Sequence, residues 1–318
     1  MNRSNIKTGN TDISPNNPNK KVPKKTWATM NRRYHLRFLV RFEMLLLVLC
    51  IYVFDREQYD LFFHHFFQSF TLLHLVWFYI LWEMVLQALP LSWMPTGCMK
   101  QFAFRYEPVP DYSKEKTGAK KGKEEDVEDP TSAEVGKKIL KKGGKAASKR
   151  NELLQLYRRS QDRRAFCVLI CWYVLNSFWW VLFLTGRFTE AECFTGSVLY
   201  TVFDLICILW FCPFQLIFMN TRCCSTCRVF NYGQIFTVTP ILVIPSFASL
   251  SLVAVAVIIF LQWEILWHLH PERFYEGTNL RLNCSHCSEQ LCVSRNKFYR
   301  RFHIPFPGRN DPGLAKKN

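Results

Sequence analysis

The sequence predicts an all-α protein: a multi-pass membrane helical bundle of four to six spans, with a disordered cytoplasmic loop and a cysteine-rich loop and tail. Three observations carry that prediction. Apolar residues make up 49% of the 318-residue chain, and they fall in long uninterrupted blocks instead of at helical or strand period. Those blocks reach the roughly 20 residues that a bilayer crossing takes. The stretches between them are polar and strongly basic, and the formal net charge is +16.

The chain opens with a basic tail, 1–37, that carries Lys20, Lys21, Lys24, Lys25, Arg32, Arg33 and Arg37. The first apolar block, 38–54, has no small-residue cleavage site after it, so it is expected to stay as a signal anchor. With the second block, 61–94, it makes a first membrane pair over 38–94. A loop, 95–164, follows. Its Lys/Glu/Gly/Ala centre cannot bury enough apolar area to offset ordering entropy and is expected to be disordered. The flank NELLQLYRRSQDRRAF is expected to continue helically into the next span. Blocks 165–186 and 193–219 make a second pair, 165–219. A connector, 220–234, leads to a final block, 235–269, and a basic tail, 270–318. Blocks two and five are longer than one perpendicular span, so tilt, an interfacial extension or a re-entrant turn is expected in each.

Lys and Arg favour the cytoplasmic side. The N-terminus and the 95–164 loop are therefore expected to be cytoplasmic, in a cell membrane, with DREQYD and Arg187–Glu192 outside. The final block raises a conflict. A single crossing puts the tail outside, yet the tail is basic (Arg273, Arg281, Arg295, Lys297, Arg300, Arg301). A re-entrant or doubled final block resolves it, and Pro240, Pro245, Ser246, Ser249 and Ser251 mark a place for the break.

The most specific chemical signal is in the cysteines. The connector reads NTRCCSTCRVFNYG and the tail LNCSHCSEQLC. Each holds a C-x-x-C, and together Cys224, Cys227, Cys284 and Cys287 supply four thiolates at the local spacing tetrahedral zinc takes, with Cys223 and Cys292 as further candidates. The condition is that both segments lie on one side of the membrane. An iron–sulfur cluster is the alternative, although the compact ferredoxin run is missing. Redox thiols or disulfides are another, favoured if the two segments are on opposite faces. Cys50, Cys167, Cys171, Cys207 and Cys212 lie in apolar blocks and read as small hydrophobes. Asn283-Cys-Ser fits a glycosylation acceptor, which a cytoplasmic tail makes irrelevant.

Polar groups at membrane depth are the second signal. Asp204 and Asn176 sit mid-block on adjacent helices and are expected to meet near the midplane. Glu83, Gln87, Gln262 and Glu264 are weaker candidates. The competing reading is interhelical hydrogen bonding that only holds the bundle together. His64, His65 and His74 suggest haem or metal only if a second histidine helix lies at the same depth, with His268 and His270 as candidates. The Lys-rich segments are expected to contact anionic lipid headgroups, not nucleic acid, because no folded basic face with aromatic platforms is present. No Gly-rich phosphate loop, G-x-S-x-G or H-E-x-x-H occurs, which argues against a nucleotide-driven pump or a familiar hydrolase. The expected roles are transporter, small-ligand binder or assembly factor around Asp204. The alternatives are a membrane oxidoreductase using a cluster or thiols, with or without quinone, and an enzyme acting on lipid or an isoprenoid.

Overall fold

Every regular element among the described residues is helical, apart from one isolated bridge between Pro108 and Asn279. The computed structural model describes residues 24–89, 100–109, 130–221, 224–283 and 291–302. The helices are α1 (Lys24–Phe54), α2 (Glu57–His64), α3 (Leu72–Ala88), α4 (Pro130–Leu184), α5 (Glu190–Leu209), α6 (Gly233–Thr237), α7 (Phe247–Leu269) and α8 (Leu291–Arg301).

α4 holds 55 residues, about 80 Å at 1.5 Å per residue. The Lys/Glu/Gly/Ala sequence predicts disorder, but from Pro130 onward the chain is helix. Proline suits the first helical turn, and Ala, Lys and Glu are strong helix formers. The part of that loop at 110–129 lies outside the described residues. Two residues past the end of α4 stands Gly186, whose φ of 70° is the left-handed conformation glycine adopts freely. α5 then opens with a capping box in which Thr189 and Glu192 satisfy each other's exposed amides. Gly196 lets α4 and α5 approach: a Cβ there would stand 2.5 Å from Trp179.

Block two is not one helix. It breaks after His64, and a capping box between Thr71 and His74 starts α3. The excess length of the block is thus divided between two helices, α2 and α3.

The final block also breaks, where its prolines and serines lie. α6 gives way to a short turn, Thr239–Ile241, and Ser246 then caps α7 by accepting the Ser249 amide at 3.3 Å. Contacts show where the segment before α7 goes. Gln234 meets Gln87 near the end of α3. Thr237 accepts from Ser197 and Thr239 from Trp180, and Phe247 packs on Phe66 and Phe67 before the start of α3. The segment thus climbs the bundle as buried, irregular chain. α7 returns alongside α3 and parallel to it, with Trp77 bonded to Ser251 and Gln262 to the Ala88 carbonyl. The final block runs the length of the bundle twice.

The remaining packing follows. α1 lies antiparallel to α5, from Tyr34 against Leu205, Ile208 and Leu209 to Tyr52 bonded to Glu192. One end of the bundle gathers the start of α1, residues 100–109, the α4 stretch 157–164, the connector residues 215–221 and 224–232, and residues 264–283 and 291–302. Leu280 bonds the Glu107 carbonyl there, and Arg281 pairs with Glu107 at 2.7 Å. The described chain at the opposite end, 55–71 and 185–192, carries only Arg56 and Arg187 as Lys or Arg.

Among the described residues three helices, Arg150–Leu184, Glu190–Leu209 and Phe247–Leu269, are long and apolar enough to cross a membrane. Large apolar side chains stand exposed along them, Val174 at 66%, Leu175 at 72% and Ile258 at 62%. The buried core lies between the helices and is rich in aromatic rings, with Trp263 and Trp267 fully enclosed.

Candidate functional site

A buried guanidinium ties α1, α3 and α5 together. Arg41 is 8% exposed. Its Nε donates to Glu83 Oε2 at 2.8 Å, and its Nη1 donates to the Thr201 carbonyl at 2.5 Å and to Asp204 Oδ2 at 3.3 Å. The two carboxylates exceed the one bonded cation. Arg37 stands on the same cavity wall and forms no salt bridge with either carboxylate among the described residues. This polar cavity measures about 210 Å³ and is also lined by Tyr79 and Gln87.

On the other side of Asp204 lies a larger chamber of about 400 Å³. Its walls are mostly apolar and carry the rings of Trp172, Tyr200, Phe211, Phe214 and Phe236, with Trp172 stacked on Phe236 at 4.7 Å. Phe203 lies at the chamber edge and is 48% exposed on the outer face of α5. Asp204, Ile208, Phe230 and Gly233 line both cavities and form the partition. α6 passes so close to the carboxylate that a Cβ on Gly233 would lie 2.9 Å from Asp204 Oδ1. Glycine is the residue that permits this approach.

Four thiols face the chamber: Cys207, Cys212, Cys224 and Cys227. The Cys207 and Cys212 thiols interact with each other on the chamber wall. The sequence reads these two as lone small hydrophobes; the turn after α5 brings them together. Cys224 and Cys227 come from the connector, and Arg295 of α8 donates to Cys224 Sγ at 2.6 Å and to Gln215 Oε1. Arg295 is 1% exposed and has no carboxylate partner among the described residues. Burial works against its charge, but the Cys224 and Tyr299 groups beside it outweigh that and hold its pKa above the usual guanidinium value. Burial pushes the Cys227 thiol up to about 12.

The expected zinc ligands are only partly visible. Cys224 and Cys227 are side by side on the chamber wall, while Cys223, Cys284 and Cys287 lie outside the described residues. Cys292 lies on α8, one turn before Arg295. Among the described residues no group of three or more His, Cys, Asp or Glu side chains is arranged to hold a metal. Arg295 nevertheless brings the tail to the connector at one end of the bundle.

Asn176 and Asp204 do not pair. Asn176 Oδ1 accepts from Tyr200 and its amide donates to the Trp172 carbonyl at 2.7 Å, whereas Asp204 belongs to Arg41. Asn176 ties α4 to α5 through Tyr200. His74 is satisfied locally: its Nδ1 contacts Thr71 and its Nε2 contacts the Phe66 carbonyl. Glu264 joins a second ion network, in which Arg228 pairs with Asp162 and, at 2.5 Å, with Glu264, and lies 4.8 Å over the Trp267 ring. Gln262 only bonds the Ala88 carbonyl.

Sequence reasoning missed Arg41. The signal was a lone arginine inside the first apolar block, FLVRFEML, where a charge is costly unless it is paired. No protein family, no curated protein and no solved structure matches this chain.

Proposed function

We propose that the chain is a multi-pass membrane protein that binds a small, neutral or cationic, lipid-soluble molecule in the chamber beside Asp204. The observation that carries this reading is the position of Asp204, one carboxylate shared by an apolar chamber of about 400 Å³ and a polar cavity of about 210 Å³. The volume is within the range of small-molecule sites, and a largely apolar wall with few convergent polar groups is their usual chemistry. The surplus carboxylate favours a cation or a hydrogen-bond donor over an anion. Exposed apolar side chains along α4 and α7 support insertion in hydrocarbon, since a water-soluble monomer rarely displays such a surface. The basic end of the bundle is assigned to the cytoplasm, N-terminus included, and its Lys/Arg groups to anionic headgroups.

The test is a panel of apolar compounds matched in size and carrying an amine, a hydroxyl, a carbonyl or a carboxylate. At a hundred times its Kd a ligand adds about 2.7 kcal/mol to stability, read as a shift in thermal unfolding in detergent. Amines and neutral compounds are expected to stabilise the protein and carboxylates to leave it unchanged. Asp204→Asn is expected to weaken amines about tenfold, roughly 1.4 kcal/mol, and to spare neutral compounds. Equal stabilisation by carboxylates contradicts the reading.

A second reading concerns the cysteine layer. Zinc held by Cys224, Cys227, Cys284 and Cys287 would clamp the tail to the connector. The meeting of the two segments through Arg295 supports it, and a cationic group beside a ligating sulfur is a common supporting contact. Ligation must also displace the proton that burial keeps on Cys227. Metal analysis of purified protein is expected to give one zinc per chain and no visible absorption. Iron with sulfide supports a cluster instead, and absence of metal removes the site.

A further inference from the structure

The geometry points to Cys207 and Cys212 as a dithiol–disulfide couple that passes two electrons to a quinone-type acceptor in the chamber. This inference rests on the chamber reading above and names its ligand class.

The local chain brings the two sulfurs together. α5 ends at Leu209, and the amides of Trp210 and Phe211 both bond the Ile206 carbonyl, at 2.9 and 3.1 Å. Pro213 then prevents further helix. The turn brings residue 212 round to the cavity wall that carries residue 207, where the two thiols interact. Both line the chamber, as does Asp204 one turn earlier on α5. Cys50 and Cys167, by contrast, are exposed on the outer faces of α1 and α4, and Cys193 is buried away from the chamber.

The chamber selects the oxidant. Its walls present flat rings, Trp172 stacked on Phe236 and in edge contact with Phe214, which suit a planar six-membered ring. The exposed face of Phe203 points to entry from lipid. A charged, water-soluble disulfide would have to be stripped of its hydration to enter a cavity this small and this apolar.

The step balances within these groups. The two S–H bonds break and one S–S bond forms. Two electrons and two protons pass to the quinone, and its two carbonyls become hydroxyls. Asp204 accepts a hydrogen bond from the hydroquinone, the donor the surplus carboxylate favours. Return to the dithiol requires a reducing thiol from the cytoplasmic end.

The experiment uses the full chain, reduced and then freed of reductant, in detergent under argon. A fully substituted benzoquinone with a decyl tail is added, because full substitution prevents addition of thiols to the ring. Thiols are counted after denaturation, hydroquinone is read by absorbance, and disulfides are mapped by peptide mass spectrometry. The expected result is a loss of two thiols and a gain of one hydroquinone per chain, with Cys207 joined to Cys212. Cys207→Ser and Cys212→Ser each abolish the turnover, while Cys167→Ser does not. If the quinone raises the unfolding temperature and all thiols survive, the chamber reading stands and the redox inference is overturned. If it neither binds nor oxidises, both fall. A disulfide joining any other cysteines also overturns it.

Discussion

Arg41→Leu is expected to destabilise the protein by about 3–5 kcal/mol, the cost of leaving buried charge without its partner. The side chains of Glu83 and Asp204 are 16% and 26% exposed, so neither can recover full hydration when the guanidinium is removed. The loss is read as a lower unfolding temperature, or a smaller monodisperse peak, in detergent. The triple variant Arg41→Leu, Glu83→Gln, Asp204→Asn separates charge from packing. It removes the whole ion cluster and is expected to recover most of the loss, because a buried ion pair replaced entirely is often nearly neutral. No recovery would mean that Arg41 acts through shape alone.

Arg228→Leu has the second largest expected effect, about 3 kcal/mol. Arg228 holds Asp162 of α4 and Glu264 of α7 together, and Trp267 also bonds Asp162 at 2.9 Å. The figure lies at the lower end for a buried pair, because the Asp162 side chain keeps 38% exposure. Arg228→Lys retains the charge and loses the two-pronged geometry, so it is expected to lose roughly half as much. The network clamps the connector carrying Cys224 and Cys227 between two helices. Arg228→Leu should therefore also speed alkylation of Cys227 by a small thiol reagent, measured by peptide mass spectrometry.

Much of the architecture was legible because hydrophobic length is a local signal. The helices α4, α5 and α7 follow from their apolar runs, and Pro240, Pro245 and Ser246 announced the break before α7. The α4 extension back to Pro130 was not legible, because low hydrophobicity argues for disorder while Ala, Lys and Glu favour helix. The path of residues 233–246 was not legible either. Its amides and carbonyls are satisfied by partners distant in sequence, such as Ser197 and Trp180, and no period reveals them. Asp204 stood out as a charge in an apolar block. Its partner Arg41 is 163 residues away, and pairing across that distance leaves no trace in one sequence. Cys207 and Cys212 read as hydrophobes because their meeting depends on a helix end that only the turn at Trp210 creates.

The final block's two passes along the bundle bring the tail, the connector and the basic α4 stretch to one end of it, and the proposed function puts that end in the cytoplasm. The most direct measurement is labelling of single added cysteines, Arg300→Cys and Arg187→Cys, with a membrane-impermeant maleimide in intact and permeabilised cells, read at the peptide level. The predicted result is that position 187 is labelled in intact cells and position 300 only after permeabilisation. Labelling of position 300 in intact cells, with position 187 labelled as well, would put the tail on the far side and contradict the account.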